Sequence, residues 1–343
     1  MTVIFDEENA ISFFKNLDNY EIGDDIHKLL KRQINLQFNF ELDEIDEALE
    51  LQILEFIETG GRKENELNII FIKKIDLEET FCIDDINNNN NVYLLRTVTK
   101  KVKQANKVLI GEVGEEIEVL KKLFLNQTQV SIQENIRIGG AQFKSWDDIE
   151  IYNRPFSSIV IVDRYMFKGS TVGGNLGLFE FNLKKILGAL FKNQTQRPSL
   201  TFIYQINPFV DKLSEKYDEG PDLQSLKQKI KSAVKSINKY CPEPNINFIP
   251  VPKGKIGDEH DRHIITNYLR IKSGDTLIYF NKNQEIITTS NEFDIYSLAQ
   301  KQYRDSTQNL VTKLNEITNE VIQNFENRCL LSNPDKKENI INF

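Results

Sequence analysis

The chain has 343 residues, 40% of them hydrophobic and 27% charged, with a formal net charge of −8. That length suits about two globular domains, each large enough to bury a core. The acidic balance excludes a protein that coats nucleic acid through its overall field, and leaves room only for a local basic patch.

The opening MTVIFDEENAISFF carries acids where a secretory leader needs basic residues, and no apolar run reaches membrane-spanning length. The expectation is a cytoplasmic protein without a transmembrane segment. Residues 1–90 form an acidic α+β region in which TVIF, INLQFNFEL and ELNIIFIKKI predict strands by alternation and β-branched content. DEIDEALELQILEFIE predicts a helix between them. Five asparagines at 87–91 have no apolar surface to pack and predict a loop. Residues 91–154 read as a connecting region, with a degenerate first half-domain as one candidate: a helix from VYLLRTVTKKVKQ, a strand at KVLIGE, and a helix with Ile117, Leu120 and Phe124 on one face.

The pattern sharpens at residue 155. SSIVIVD is a continuous apolar run of the kind buried on both faces of a sheet. LGLFEFNLKKILGALF predicts a helix, SLTFIYQ a strand, DLQSLKQKIKSAVKSINKY a helix and INFIPVP a strand. That alternation implies a parallel α/β sheet with right-handed crossovers. RHIITNYLRI and DTLIYF predict further strands, and QEIITTS a short strand or edge. A long helix is expected over roughly 293–326, within a segment 291–328, and residues 329–343 read as a loosely held tail. The helix stripe Tyr303, Leu310, Leu314, Ile317 and Val321 is near-heptad, suited to packing on its own domain or to a coiled-coil contact; the two crossover helices already assigned to the sheet favour a domain-bridging or self-association role.

Chemistry concentrates in DEHDRHIITNYLRIKSGDTLIYF, residues 258–280, which holds two of the three histidines, His260 and His263. Ligands of α/β sheets collect at the carboxyl ends of the strands, where Asp163, Arg164 and Tyr165 follow SSIVIV. If the strand after the 258–262 cluster runs antiparallel to its neighbours, the two polar groups meet in one cleft. The plainer alternative is that Asp163 and Arg262 hold two strand ends together and that His263 is a core histidine.

His260, Arg262 and Asn267 fall on the positions of the HxKxxxxD motif, with Gly274 downstream. Residues 155–290 on this basis resemble a phospholipase D-like domain, closest to the degenerate C-terminal domain of MIT-domain-containing proteins. The resemblance implies an α/β fold with a mixed sheet flanked by helices. In active members the His attacks phosphorus, the Lys binds non-bridging oxygens, the acid orients the His, and two motifs are needed. Here Arg262 replaces Lys, which alters the geometry of phosphate contact, and Asn267 replaces the acid, so it cannot stabilise an imidazolium. The remaining histidine, His27 in DDIHKLLKRQI, has no basic residue two positions on.

The resemblance with these departures implies a catalytically inactive binding or assembly protein, of the sort expected in bacterial defence systems. Its ligand-binding residues would be Asp163, Arg164, Tyr165, His260 and Arg262, and its target a phosphate-bearing ligand or a protein partner, with self-association, nucleic acid or a phospholipid headgroup among the partners considered. The alternative is a metal-independent phosphodiesterase or nuclease, active as a homodimer, with His260, Arg262 and Asn267 catalytic. Neither reading calls for a cofactor or a metal. Cys82, Cys241 and Cys329 are widely spaced and odd in number, so a disulfide framework and a zinc site are not expected.

Two weaker features complete the reading. GSTVGGNLG at 169–177 is a glycine-rich loop between strand and helix, without the Lys-Ser/Thr of a P-loop. In the helix at 222–240, Leu223, Leu226, Ile230, Val234 and Ile237 face inward. Lys227, Lys231, Lys235 and Lys239 form a stripe beside them: a solvated face, or a nucleic-acid or acidic-membrane contact.

Overall fold

The computed structural model describes residues 1–15, 26, 29–31, 33–58, 69–71, 91–96, 108–124, 137–138, 141–142, 145–164, 166, 177–194, 197–206, 223–252, 255, 261–274, 277–287 and 293–332. The chain divides into two compact units, one of residues 1–127 with 297–305 and one of 128–296 with 306–343.

In the first unit the elements are β1 (Thr2–Phe5), α1 (Glu7–Lys15), β2 (Asn35–Phe38), α2 (Glu47–Glu58), β3 (Ile69–Phe71), β4 (Val92–Leu94), β5 (Leu109–Gly111) and α3 (Glu116–Phe124). Both early helices start on an aspartate. Asp6 Oδ1 accepts the Asn9 amide at 2.9 Å and Asp46 Oδ1 accepts that of Leu49 at 3.0 Å, satisfying donors that the first turn leaves open. The strands form one sheet in the order β3-β2-β1-β4-β5 with every pairing parallel. Its core is aromatic: Phe38 packs with Phe5, Phe14, Phe40 and Phe71, and Phe14 meets Phe56 edge-on. The α+β expectation is therefore corrected to α/β here. The expected helix at VYLLR is in fact strand β4, because buried pairing with β1 and β5 outweighs the local preference of so short a run.

The second unit contains the hairpin β6 (Arg137–Ile138) and β7 (Ala141–Gln142), then a 3-10 helix at Trp146–Tyr152 with a capping box on Ser145. There follow β8 (Ser158–Val162), α4 (Gly177–Phe191), β9 (Ser199–Ile206), α5 (Leu223–Ile237), β10 (Asn245–Pro252), β11 (Arg262–Ile265), β12 (Leu269–Ser273), β13 (Phe293–Ser297) and α6 (Lys301–Phe325), of which residues 297–305 are assigned to the first unit. The six-stranded sheet has the order β10-β9-β8-β11-β12-β13. β8, β9 and β10 are parallel, as the strand–helix alternation predicts, while β11 is antiparallel to both β8 and β12. One face carries Val160, Val162, Ile203, Ile249, Val251 and Ile265, and α6 covers it with Val311, Leu314, Ile317, Val321 and Ile322. Much of the apolar stripe read as a bridging or oligomer seam is thus spent on the unit's own sheet.

Three elements differ from expectation, each for a local reason. RHIITNYLRI is a hairpin, not one strand: Thr266 N–H donates to Leu269 O at 2.8 Å and the Thr266 hydroxyl accepts from Leu269 N at 3.2 Å, closing a turn without glycine. The described part of DTLIYF, residues 277–280, makes only a single bridge, from Phe280 to Ile286, and no continuous strand. The amides of Tyr279 and Phe280 donate to Asn182 Oδ1 at 3.2 and 3.1 Å, and Phe280 O accepts from Asn182 Nδ2 at 2.8 Å, so one buried side chain of α4 takes their bonds in place of a ladder. Finally, residues 293–297 pair as strand β13, and α6 starts only at Lys301. The start of the expected loose tail is held as well: Phe248 and Leu330 exchange backbone bonds at 2.8 and 3.0 Å, along the outer edge of β10.

Candidate functional site at the carboxyl edge of the second sheet

Because β11 runs against β8, His263 stands opposite Val162, and the start of β11 lies beside the end of β8. Asp163 and Arg262 are thereby brought together. Asp163 Oδ1 is 3.4 Å from Arg262 Nε, and the two side chains are only 5% and 3% exposed. A second arm of the guanidinium donates from Nη1 to Gly274 O at 3.0 Å, joining the start of β11 to the end of β12. The Asp163 amide donates to Ile203 O at 3.0 Å, which carries the pairing of β8 with β9 one residue further. The ends of β8, β11 and β12 meet at this one ion pair.

The neighbouring polar groups are paired in the same manner. Arg164 Nε donates to Gln205 Oε1 at 3.0 Å, and Lys272 reaches Asp261 at 3.0 Å beside β11. Tyr165 and His260 lie outside the described residues, as do His27, Cys82 and residues 169–176 of the glycine-rich loop.

Asn267 is at the opposite end of the hairpin. Its Oδ1 accepts the Ser157 amide at 2.9 Å, and its Nδ2 donates to the Ser157 hydroxyl at 3.0 Å. The residue at the motif's acid position thus anchors the start of β8, one strand length from Asp163 and Arg262.

His263 is buried at 1% exposure, and neither ring nitrogen has a hydrogen-bond partner among the described residues. Burial, and then the charges of Arg270, Lys272 and Arg262, push its pKa down to about 3. The ring is neutral across the physiological range and serves as core. The two described thiols are also unsuited to nucleophilic work, since burial pushes Cys241 up to about 11 and burial with the nearby Glu326 pushes Cys329 up to about 12.

A second polar convergence, which sequence reasoning did not single out, lies in the first unit. There β4 and β2 flank β1 on opposite sides, so the strand order changes direction between β1 and β4, the place where α/β sheets open a crevice. Asp6 Oδ2 accepts the Arg96 amide there, and Arg96 pairs with Glu8 at 3.0 Å. Glu116 is buried with both carboxylate oxygens on the Gly114 amide, and burial holds its pKa above the usual carboxylate range. The signal was available in FDEE and GEVGEE, acids placed directly after strands. Among the described residues no group of three or more His, Cys, Asp or Glu side chains is arranged to hold a metal ion.

No protein-family model matches this chain, and no curated protein is significantly similar to it.

Proposed function

We propose that the second unit is a degenerate phospholipase D-like domain that works as a binding or assembly module and not as a phosphodiesterase. The observation that carries this reading is the Asp163–Arg262 pair, buried at both members and bonded onward to Gly274. In a phosphodiesterase of this type the basic residue must meet a scissile phosphate. Here its charge is answered by a carboxylate inside the fold, and a phosphate arriving beside it would also face that carboxylate. Asn267, at the acid position, is bonded at the far end of β8 and stabilises no imidazolium. What remains is a sheet edge whose strand ends are tied by buried bonds, a suitable frame for holding a protein partner or a phosphate-bearing group by contacts other than Arg262.

The test is hydrolysis of a bis-aryl phosphodiester, single-stranded DNA and RNA by purified protein in the presence of a chelator, with H260A in parallel. The expected result is no turnover by either protein. Metal-independent turnover abolished by H260A would replace this reading with the dimeric phosphodiesterase.

A further inference from the structure

Among the described residues, α5 stands out against the acidic balance of the chain. Within α5 there are Lys227, Lys229, Lys231 and Lys235, with Lys239 just beyond its end, and no Asp or Glu between 223 and 242. Two of these charges are answered at their tips, Lys229 by Glu180 at 3.0 Å and Lys231 by Glu243 at 2.8 Å. Lys235 and Lys239 are exposed, and Lys227 is half-buried; burial, and then the charge of Lys231, lower its pKa. Arg197 adds a further positive charge near Glu243. From Lys227 to Lys235 the helix rises about 12 Å, over which a nucleic-acid strand presents about three to four phosphates at roughly 3.4 Å each.

The stripe ends in an aromatic ring. Tyr240 is 76% exposed, and Lys239 Nζ stands 4.8 Å from its centroid. A basic track with a stacking platform at one end is the pattern that binds single strands without sequence preference. A bilayer fits less well, because an interfacial helix needs an apolar face to insert. The apolar side of α5, Leu226, Ile230, Ala233 and Val234, is buried in its own unit.

We propose that the lysine-lined face of α5, ending in Tyr240, is a contact surface for single-stranded nucleic acid. This surface is separate from the Asp163–Arg262 edge and does not depend on the reading of that edge.

The experiment is fluorescence anisotropy of the full chain with a labelled oligothymidylate, at salt concentrations from about 50 to about 200 mM. Saturable binding is expected, weakening roughly 20- to 50-fold across that range if three to four phosphates are neutralised. The triple variant K227Q/K235Q/K239Q should weaken binding by about one order of magnitude or more at the lowest salt, through loss of three phosphate contacts. Y240A should weaken it roughly 5- to 160-fold, as for loss of one stacked base. K313Q, an exposed lysine on α6, should change nothing. Should the triple variant lose its circular dichroism signature, Y240A decides, since its ring is exposed. No binding at the lowest salt, or Y240A binding like the parent, overturns the proposal. So does capture by phosphatidylserine vesicles without binding to the oligonucleotide.

Discussion

Asn267 and His263 show how residue types that signal chemistry in a motif can be spent on structure. Asn267 satisfies the Ser157 amide at the start of β8, so N267A should lower unfolding stability by about 1–3 kcal/mol, the cost of leaving a buried donor unpaired. Urea unfolding of the purified variant measures this directly. His263 makes a pH prediction whose sign follows from its lowered pKa. Above the ordinary imidazole value of about 6.5, neither the folded nor the unfolded chain protonates this ring. Below it the unfolded chain takes up a proton that the folded chain refuses until about 3. Stability should therefore fall on acidification through that window, by about 1.4 kcal/mol per pH unit from this residue. The gap between parent and H263L unfolding curves should shrink or reverse along that slope; parallel curves from neutral pH to pH 4 would show that the ring is not held neutral. At this scale the sequence made His263 legible as a core residue, since it leads an apolar run. The pairing of Asp163 with Arg262 across ninety-nine positions was one of the two alternatives the sequence offered, but the burial of the pair was not legible, because it depends on how β8, β11 and β12 assemble.

Elements were read best where tertiary contacts agree with local pattern. β8, α4, β9, α5 and β10 alternate over long periodic runs, and their order alone implies the parallel half of the sheet. The 262–273 hairpin was missed because its turn is closed by Thr266 and carries no Gly or Pro; the polar pair Thr266–Asn267 inside an apolar run was the available signal. DTLIYF failed as a strand for a reason no periodicity contains, the distant amide of Asn182. For α6 the stripe was legible and its partner was not. Leu314 is 1% exposed within the core that α6 forms on the sheet. L314A should thus cost about 2–5 kcal/mol of stability while leaving the sedimentation coefficient of the folded protein unchanged. A variant that kept its stability but changed its association state would restore the oligomer seam.

At the scale of the whole molecule, two sheets of different topology divide the chain, one wholly parallel and one mixed. No helix among the described residues is long and apolar enough to cross a membrane. The first unit was the harder to read, since strands of three or four residues show no period and parallel pairing is a long-range property. The second unit's candidate site was legible as a set of residues, yet its meaning depends on whether Arg262 faces a ligand or the fold. Buried against Asp163, Arg262 belongs to the frame of the fold. Removing one member of a buried pair leaves the other charge unanswered, which costs about 3–5 kcal/mol, whereas an exposed pair contributes roughly 0–1 kcal/mol. Urea unfolding of R262A beside the parent chain separates the two. A loss of several kcal/mol, with a smaller loss in the double variant D163N/R262M than in R262A, is the predicted result; an R262A protein as stable as its parent to within about 1 kcal/mol would contradict it.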